Sequence, residues 1–426
     1  MKSVNPDKSG SAIGHYRWRI LVLLFFATTI NYVDRQVIGL LKPFIAEDLG
    51  WSEAGYGYIV SAFQAAYAIG LLLTGRMLDK IGTRAGYTIA IFIWSVAGMI
   101  HAAARSVFSF GVARFFLGLG ESANFPAAVK SVAEWFPKKE RAFATGLFNS
   151  GSNIGAITAP IIVSAITLAY GWQWAFIITG AMGFIWIVFW LMFYKLPENH
   201  NRISRAEYLH IQSDHEPETI KPLKWKEIFI YRETIAICLA RFVTDWVWWF
   251  YLFWTPDFLN NQFGIDIKLM VLPLILIYSV SGAGGIFGGW LSSLFLKKGR
   301  SIDYSRKATI FICACMVFPV AAVPGIDNIW IVTALIALAA AGHSGWASNI
   351  FTVVSDIFPR NAVGTVVGMS GFAGAIGGTL AASFVGLILH FTGSYLLIFL
   401  IAGSMYFLAW IILKLMIPGI KPRDLS

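Results

Sequence analysis

Glu134-Trp135-Phe136-Pro137-Lys138 returns 222 residues later as Asp356-Ile357-Phe358-Pro359-Arg360. The same offset lays Gly146 on Gly368, Ile154 on Ile376 and Gly155 on Gly377. Upstream it sets Gly120-Glu121-Ser122 on Gly342-His343-Ser344. One unchanged shift through two apolar segments and their loop marks an internal duplication. Around it the chain is 57% hydrophobic and only 13% charged over 426 residues, where a soluble domain carries about 25% charged residues. A bilayer-spanning helix needs about 20 apolar residues. Runs of that kind fall near 18–40, 55–78, 84–104, 108–132, 142–168, 172–194, 235–260, 269–296, 307–325, 329–354, 362–388 and 393–417. The reading is an all-α membrane protein of twelve transmembrane helices. Residues 1–194 form one six-helix bundle and 234–426 the other, with a polar linker at 195–233.

The net charge of +10 follows from orientation. With the N-terminus placed in the cytoplasm, 26 of the 33 Lys and Arg fall in inside segments and three outside (Lys42, Arg105, Lys268). That asymmetry puts both termini in the cytoplasm and requires an even number of spans. It also removes the case for a nucleic-acid partner. Both copies of the duplication then start on the same side, a parallel repeat, and such proteins bind at the midplane between halves that rock about the site. The first apolar run has full spanning length and no small-residue cleavage site, so it reads as a span rather than a secretory signal. Cys313 and Cys315 are two apart on a helix and point away from each other, which speaks against a disulfide or metal clip.

The remaining four basic residues, Arg35, Arg114, Lys130 and Arg241, lie within spans with Asp34, Glu121 and Asp245. Charge at bilayer depth costs a few kcal/mol or more and marks function by default. Arg35 carries a planar fork that grips a carboxylate bidentately. Asp34, its neighbour, lies about 100° away around the helix. Glu121 lies seven residues beyond Arg114, on nearly the same face and about 10.5 Å along the axis, so the two need not pair. Glu121 is the first candidate for carrying the coupled proton, and a fixed salt bridge would satisfy the same pattern. Arg241 and Asp245, at i and i+4, suit either mutual neutralisation or an acid and its hydroxyls. Neutral hydrogen-bonding candidates are Gln64, Tyr67, Asn149, Ser152, Asn153, Ser348 and Asn349. His343 takes the place of Glu121 in the repeat, and Lys130 reads as structural. Glycines in spans 5, 8 and 11 suit close packing and sliding. No nucleophile–base grouping, nucleotide loop or metal cluster is visible, so neither enzyme, metal nor cofactor is expected.

The loop Gly75-Arg76-Met77-Leu78-Asp79-Lys80-Ile81-Gly82-Thr83-Arg84 resembles the signature loop of the major facilitator superfamily. The resemblance implies that Asp79 and Arg84 gate the cytoplasmic side, with Gly75 and Gly82 allowing close turns. Asn31-Tyr32-Val33-Asp34-Arg35, Gly118 to Pro126 and Glu134 to Pro137 are similar to the anion:cation symporter family within it. The stretch Arg241 to Phe250 resembles hexuronate transporters. Carried over, Arg35 binds the substrate carboxylate, Asp34 helps couple protons, and Tyr32, Tyr67, Ser152 and Asn349 fall near ligand-contacting positions. The expectation is a monomeric proton symporter in the inner (cytoplasmic) membrane, surrounded by lipid bilayer, importing a small organic anion. A hexuronate, glucuronate or galacturonate, stands first. Alternatives are an aldonate such as galactonate, phthalate or an amino-acid-like anion, and behind these a drug exporter. Arg35, Tyr32, Tyr67, Ser152, Asn153, Arg241, Asp245, Ser348 and Asn349 would bind substrate, and Asp34, Glu121 and Arg114 would handle the proton.

Overall fold

The computed structural model describes residues 14–213, 228–358 and 360–421; the side chains at 75, 76, 79, 138, 139, 141–143 and 360–364 are outside that description. Thirteen α-helices run through the described residues. They are α1 (Tyr16–Leu49), α2 (Glu53–Ile100), α3 (Val107–Glu121), α4 (Asn124–Trp135), α5 (Lys138–Tyr170), α6 (Trp172–Phe193) and α7 (Arg205–Gln212). After the linker come α8 (Arg232–Phe263), α9 (Ile267–Lys297), α10 (Ile302–Val317), α11 (Ile329–Ile357), α12 (Arg360–Thr392) and α13 (Leu396–Met416). Among the described residues eleven stretches are long and apolar enough to cross a membrane. In an apolar solvent the backbone must satisfy itself, and helices do so.

The breaks have chemical causes. α2 turns at Gly82, whose φ of 79° is a conformation that costs glycine little. Its two arms, Glu53–Thr74 and Lys80–Ala103, are separate spanning stretches. The expected run at 108–132 is divided into α3 and α4. Pro126 has no N–H for the Ser122 carbonyl and its ring crowds that carbonyl, so the helix lapses at Ser122-Ala123, directly after Glu121. Polar caps start several helices. Ser52 accepts from the Gly55 N–H at 3.1 Å and Asp266 from the Leu269 N–H at 2.9 Å, each satisfying an amide the helix leaves open.

Within residues 14–213, α1 packs on α5 and α6 and α2 on α3 and α6; within 228–421, α8 packs on α12 and α13, and α11 on α9 and α10. The two sets meet through α2 with α12, α5 with α9 and α1 with α8. The α2–α12 approach needs glycine on both sides. A methyl on Gly57 would lie 2.9 Å from the Gly386 Cα. Cys313 is buried and Cys315 exposed, as their spacing requires.

Links between the sets gather toward the side holding the loops at 50–52, 264–266 and 393–395, here called the distal side. There Lys42 Nζ lies 2.5 Å from both Glu53 Oε1 and Asp257 Oδ1, and Tyr395 donates to Asp257. Tyr56 donates to the Phe253 carbonyl at 2.8 Å and Ser61 to the Thr379 carbonyl at 3.0 Å. This corrects the placing of Lys42 in an outside loop. It is part of α1 and 2% exposed.

Candidate functional site

Arg35 projects from the middle of α1 toward α2, α3 and α8. Its Nε donates to Glu121 Oε2 at 2.9 Å and its Nη2 to Asn31 Oδ1, one turn back, at 3.1 Å. Four rings surround the guanidinium: Tyr32 and Tyr67 at 4.9 Å, Trp249 at 5.0 Å and Phe63 at 5.4 Å. Desolvated contacts of this kind are worth on the order of 2 kcal/mol. Arg35 is 1% exposed. It is closed off from solvent in an aromatic cage with one carboxylate as partner. Trp249 alone among the four rings comes from beyond the linker, so the cage spans both sets of helices.

Arg114 does not pair with Glu121. Its Nη2 donates to the Arg35 carbonyl at 3.1 Å, and its guanidinium lies 4.9 Å from the Phe63 ring and 5.5 Å from Phe253. Nε and Nη1 of Arg114, Oε1 of Glu121 and both carboxylate oxygens of Asp34 are buried without a hydrogen-bond partner among the described residues. Unused capacity on three neighbouring charged groups is uncommon, since a buried polar group without a partner costs about 1–3 kcal/mol. The cluster is arranged for a change of partners or of protonation rather than for stability alone.

The second charged pair is more open. Arg241 Nη2 and Asp245 Oδ2 are 2.7 Å apart, with side chains 18% and 15% exposed. Arg241 also donates to Ser370 Oγ at 3.3 Å and lies 5.1 Å from the Phe351 ring. Below it Trp248 stacks on His343, 5.3 Å between centroids and 8° from parallel, and His343 Nδ1 hydrogen-bonds the Tyr406 hydroxyl at 2.6 Å.

The other sequence candidates divide. Tyr32 and Tyr67 belong to the cage. Asn153 reaches across α5 toward Gly282 of α9, where an added methyl would lie 3.5 Å from its Nδ2. Ser152 donates back to the Asn149 carbonyl at 2.7 Å and Ser348 to the Ser344 carbonyl at 2.9 Å. Asn349 does not join the charged cluster; its Nδ2 donates to the Gly288 carbonyl at 3.1 Å and fastens α11 to α9. Lys130 donates to the Leu78 carbonyl at 3.0 Å. Arg84 donates to the Leu191 carbonyl at 2.6 Å, tying the α2 bend to α6. Gly82 makes that bend; Gly75 and Asp79 are part of α2, and what surrounds them beyond the backbone lies outside the description.

Lys42, Glu53 and Asp257 were missed. Asp257 interrupts the expected span 235–260, and Lys42 follows the run 18–40 by two residues. A charge inside apolar sequence was the available signal for both. Among the described residues no group of three His, Cys, Asp or Glu side chains gathers to hold a metal ion.

Comparison with known proteins agrees with this architecture. The family model for the Major Facilitator Superfamily matches residues 24–302. The chain is 32% identical over 375 residues to the hexuronate transporter of Escherichia coli (strain K12), covering 87% of each chain. It is 32% identical over 387 residues to the D-galactonate transporter of Escherichia coli O6:H1, covering 88% of this chain and 89% of that one. Among solved structures, a bacterial homologue of the human lysosomal transporter Spinster, inward-facing and unoccupied, superposes with a TM-score of 0.73 at 18% identity, covering 96% of this chain and 99% of that one.

Proposed function

The chain belongs to the major facilitator superfamily of multi-pass membrane transporters, and from that premise we propose that it is a proton-coupled importer of an organic anion. A hexuronate such as glucuronate or galacturonate is the first candidate. The reading rests on the buried Arg35–Glu121 pair in its aromatic cage, and the two relatives described above, both named as sugar-acid transporters, support it. The second reading, an aldonate such as galactonate, is favoured by the galactonate transporter's equal identity. In this account α3 and α4 together make the fourth of twelve spans. Residues 1–194 and 234–426 form the two bundles around the site. The basic excess puts both termini and the linker in the cytoplasm, so the side sealed by Lys42 and Asp257 faces outward across the inner membrane. Arg84 and Asp79 would brace the opposite, cytoplasmic side.

The proposed cycle follows from Glu121. It grips Arg35 through one oxygen, whereas an incoming carboxylate offers the bidentate match that a guanidinium favours. Once displaced, Glu121 would remain a buried charge without a cation, at a cost of several kcal/mol. A proton removes that cost. The anion then replaces the charge that Glu121 gave up, so the site stays neutral only when both enter. Asp34, with both oxygens idle, serves as a second proton acceptor, and Arg114 balances whichever carboxylate is charged. Arg241 and Asp245, the more open pair, meet the far end of the substrate, with Tyr32, Tyr67, Ser152, Asn153 and Ser348 lining the path and Asn349 holding its wall. The test is uptake of labelled galacturonate into proteoliposomes with and without an inward proton gradient. Concentrative uptake that needs the gradient is expected. Gradient-independent equilibration, or no uptake of any sugar acid, would refute the reading.

A further inference from the structure

At the distal seal one cation serves two carboxylates. Lys42 Nζ of α1 lies 2.5 Å from Glu53 Oε1 of α2 and 2.5 Å from Asp257 Oδ1 of α8. One positive and two negative charges leave these three with a net charge of −1. Asp257 is well provided for, since it also accepts from Tyr395 and, at 3.2 Å, from Asn261 Nδ2. Glu53 is not. Its Oε2 is enclosed and has no hydrogen-bond partner among the described residues. The other neighbours of Glu53 do not make up the missing charge. Tyr56, on the same helix, gives its hydroxyl to the Phe253 carbonyl, and α3 presents the apolar Val107 beside Gly55. His390, exposed near the end of α12, is the remaining charged neighbour and is itself a titrating group. Closure of the two sets of helices is what encloses Glu53. A methyl on Gly386 of α12 would lie 2.7 Å from the Glu53 carbonyl, so α2 enters the contact at this residue. When the distal side opens, Glu53 parts from Gly386 and Asp257 and returns to water.

We propose that Glu53 is a proton-binding site of the outer seal, which takes up a proton from outside as the two sets close and returns it as they open. It rests on the outward placing of the distal side given above, not on the identity of the substrate. An uncompensated charge in an enclosed cluster is strongly unfavourable. One proton removes it and leaves Lys42 and Asp257 as a one-to-one pair that bridges the sets. The proton goes to Glu53 because its side chain is 29% exposed against 3% for Asp257, and because its idle oxygen can carry the hydrogen. The positive N-terminus of α2 favours an ionised Glu53 in both states, so it does not choose between them. Uptake on closing means, by linkage, that external acid favours the closed seal. A latch made only of ion pairs behaves in the opposite way, since acid would cut the Glu53–Lys42 bond and loosen it. In a proton-driven importer, the acid that loads the central carboxylates would also shut the outer side behind them.

The experiment labels intact cells making the full-length chain with Phe253→Cys, using an impermeant thiol reagent outside. The rate in the same chain without that substitution is subtracted. External pH is stepped from about 8 to about 5, and rates are compared with and without Glu53→Gln, which keeps the shape and removes the charge. The reagent's own pH dependence cancels in that ratio, and a rate constant does not depend on how much protein is made. At the alkaline end the Glu53 parent reacts several-fold faster than Glu53→Gln, and at the acid end the ratio falls to about one. The same course is expected with His390→Gln added to both. A ratio near one at every pH overturns the proposal, and so does a Glu53→Gln variant that reacts faster than its parent, which makes Glu53 an ordinary latch. Loss of the pH dependence with His390→Gln also overturns it, by assigning the proton to His390. Gly57→Leu, which cannot close, reports the orientation. If Phe253→Cys in that background is not labelled from outside at any pH, the distal side does not face outward and the proposal falls with that placing.

Discussion

Arg35 Nε donates to Glu121 Oε2 across 2.9 Å, while Glu121 Oε1 is left with no donor among the described residues. The guanidinium spends its Nη2 on Asn31 instead, so the pair is held through a single bond. Arg35→Lys should retain the charge but lose the fork, raising the KM for a sugar acid roughly a hundredfold, about 2.7 kcal/mol. Arg35→Ala should also destabilise the protein by about 3–5 kcal/mol, because Glu121 becomes an uncompensated buried charge. Adding Glu121→Gln should recover most of that loss. Thermal melting in detergent measures both steps.

Lys42 holds Glu53 of α2 and Asp257 of α8 at once, so it ties the two sets of helices where they close. Lys42→Met should leave two carboxylates facing one another and shift the protein toward the state open on the distal side. A cysteine at Phe253, buried beside Tyr56 and Arg114, should then react several-fold faster with an impermeant thiol reagent added outside. No change in rate would show that the pair is not a gate.

Gly57 tests the same closure without touching a charge. A leucine there cannot pass Gly386, since even a methyl would lie 2.9 Å from its Cα. Gly57→Leu should give the same distal reactivity as Lys42→Met and abolish net transport. Wild-type transport would contradict it.

At the other end, the linker helix α7 docks through a titrating contact. His210 Nε2 and Arg17 Nε bind the two oxygens of Glu140 at 2.8 and 2.9 Å, and Arg17 Nη1 lies 3.4 Å from Glu207. Burial alone would raise the Glu140 carboxyl, but its bonds to His210 and Arg17 outweigh it and hold the group below its usual range. For a depressed carboxyl the stabilisation is complete above the unfolded value, about 4.3, and is lost as pH falls through the folded one. A spin label at the exposed Leu209 should therefore be immobile at neutral pH and loosen only in acid. Glu140→Gln should loosen it at neutral pH.

Much of this molecule could be read before any coordinates. Apolar run lengths gave the spanning segments, but the single run at 108–132 hid the break between α3 and α4 that Pro126 causes. The spacing of Arg241 and Asp245 put them on one helix face and allowed pairing as one of two readings, and the structure pairs them. The partner of Arg35 could not be read in this way. Glu121 is 86 positions distant, and helices apolar on every side carry little signal of which face turns inward. Asn349 shows the same limit, since a polar residue in a span serves packing or substrate with equal plausibility until its bond to Gly288 is seen. Lys42 was obscured by the charge bias itself, which counts basic residues near span ends as loop residues.

The central claim is that Glu121 gives up Arg35 to the substrate and takes a proton in the same step. Glu121→Gln, which keeps the shape and removes the titration, tests it most directly in proteoliposomes. The account predicts that this variant no longer accumulates galacturonate under an inward proton gradient, while exchange of internal for external galacturonate continues. Accumulation at the wild-type level would contradict it.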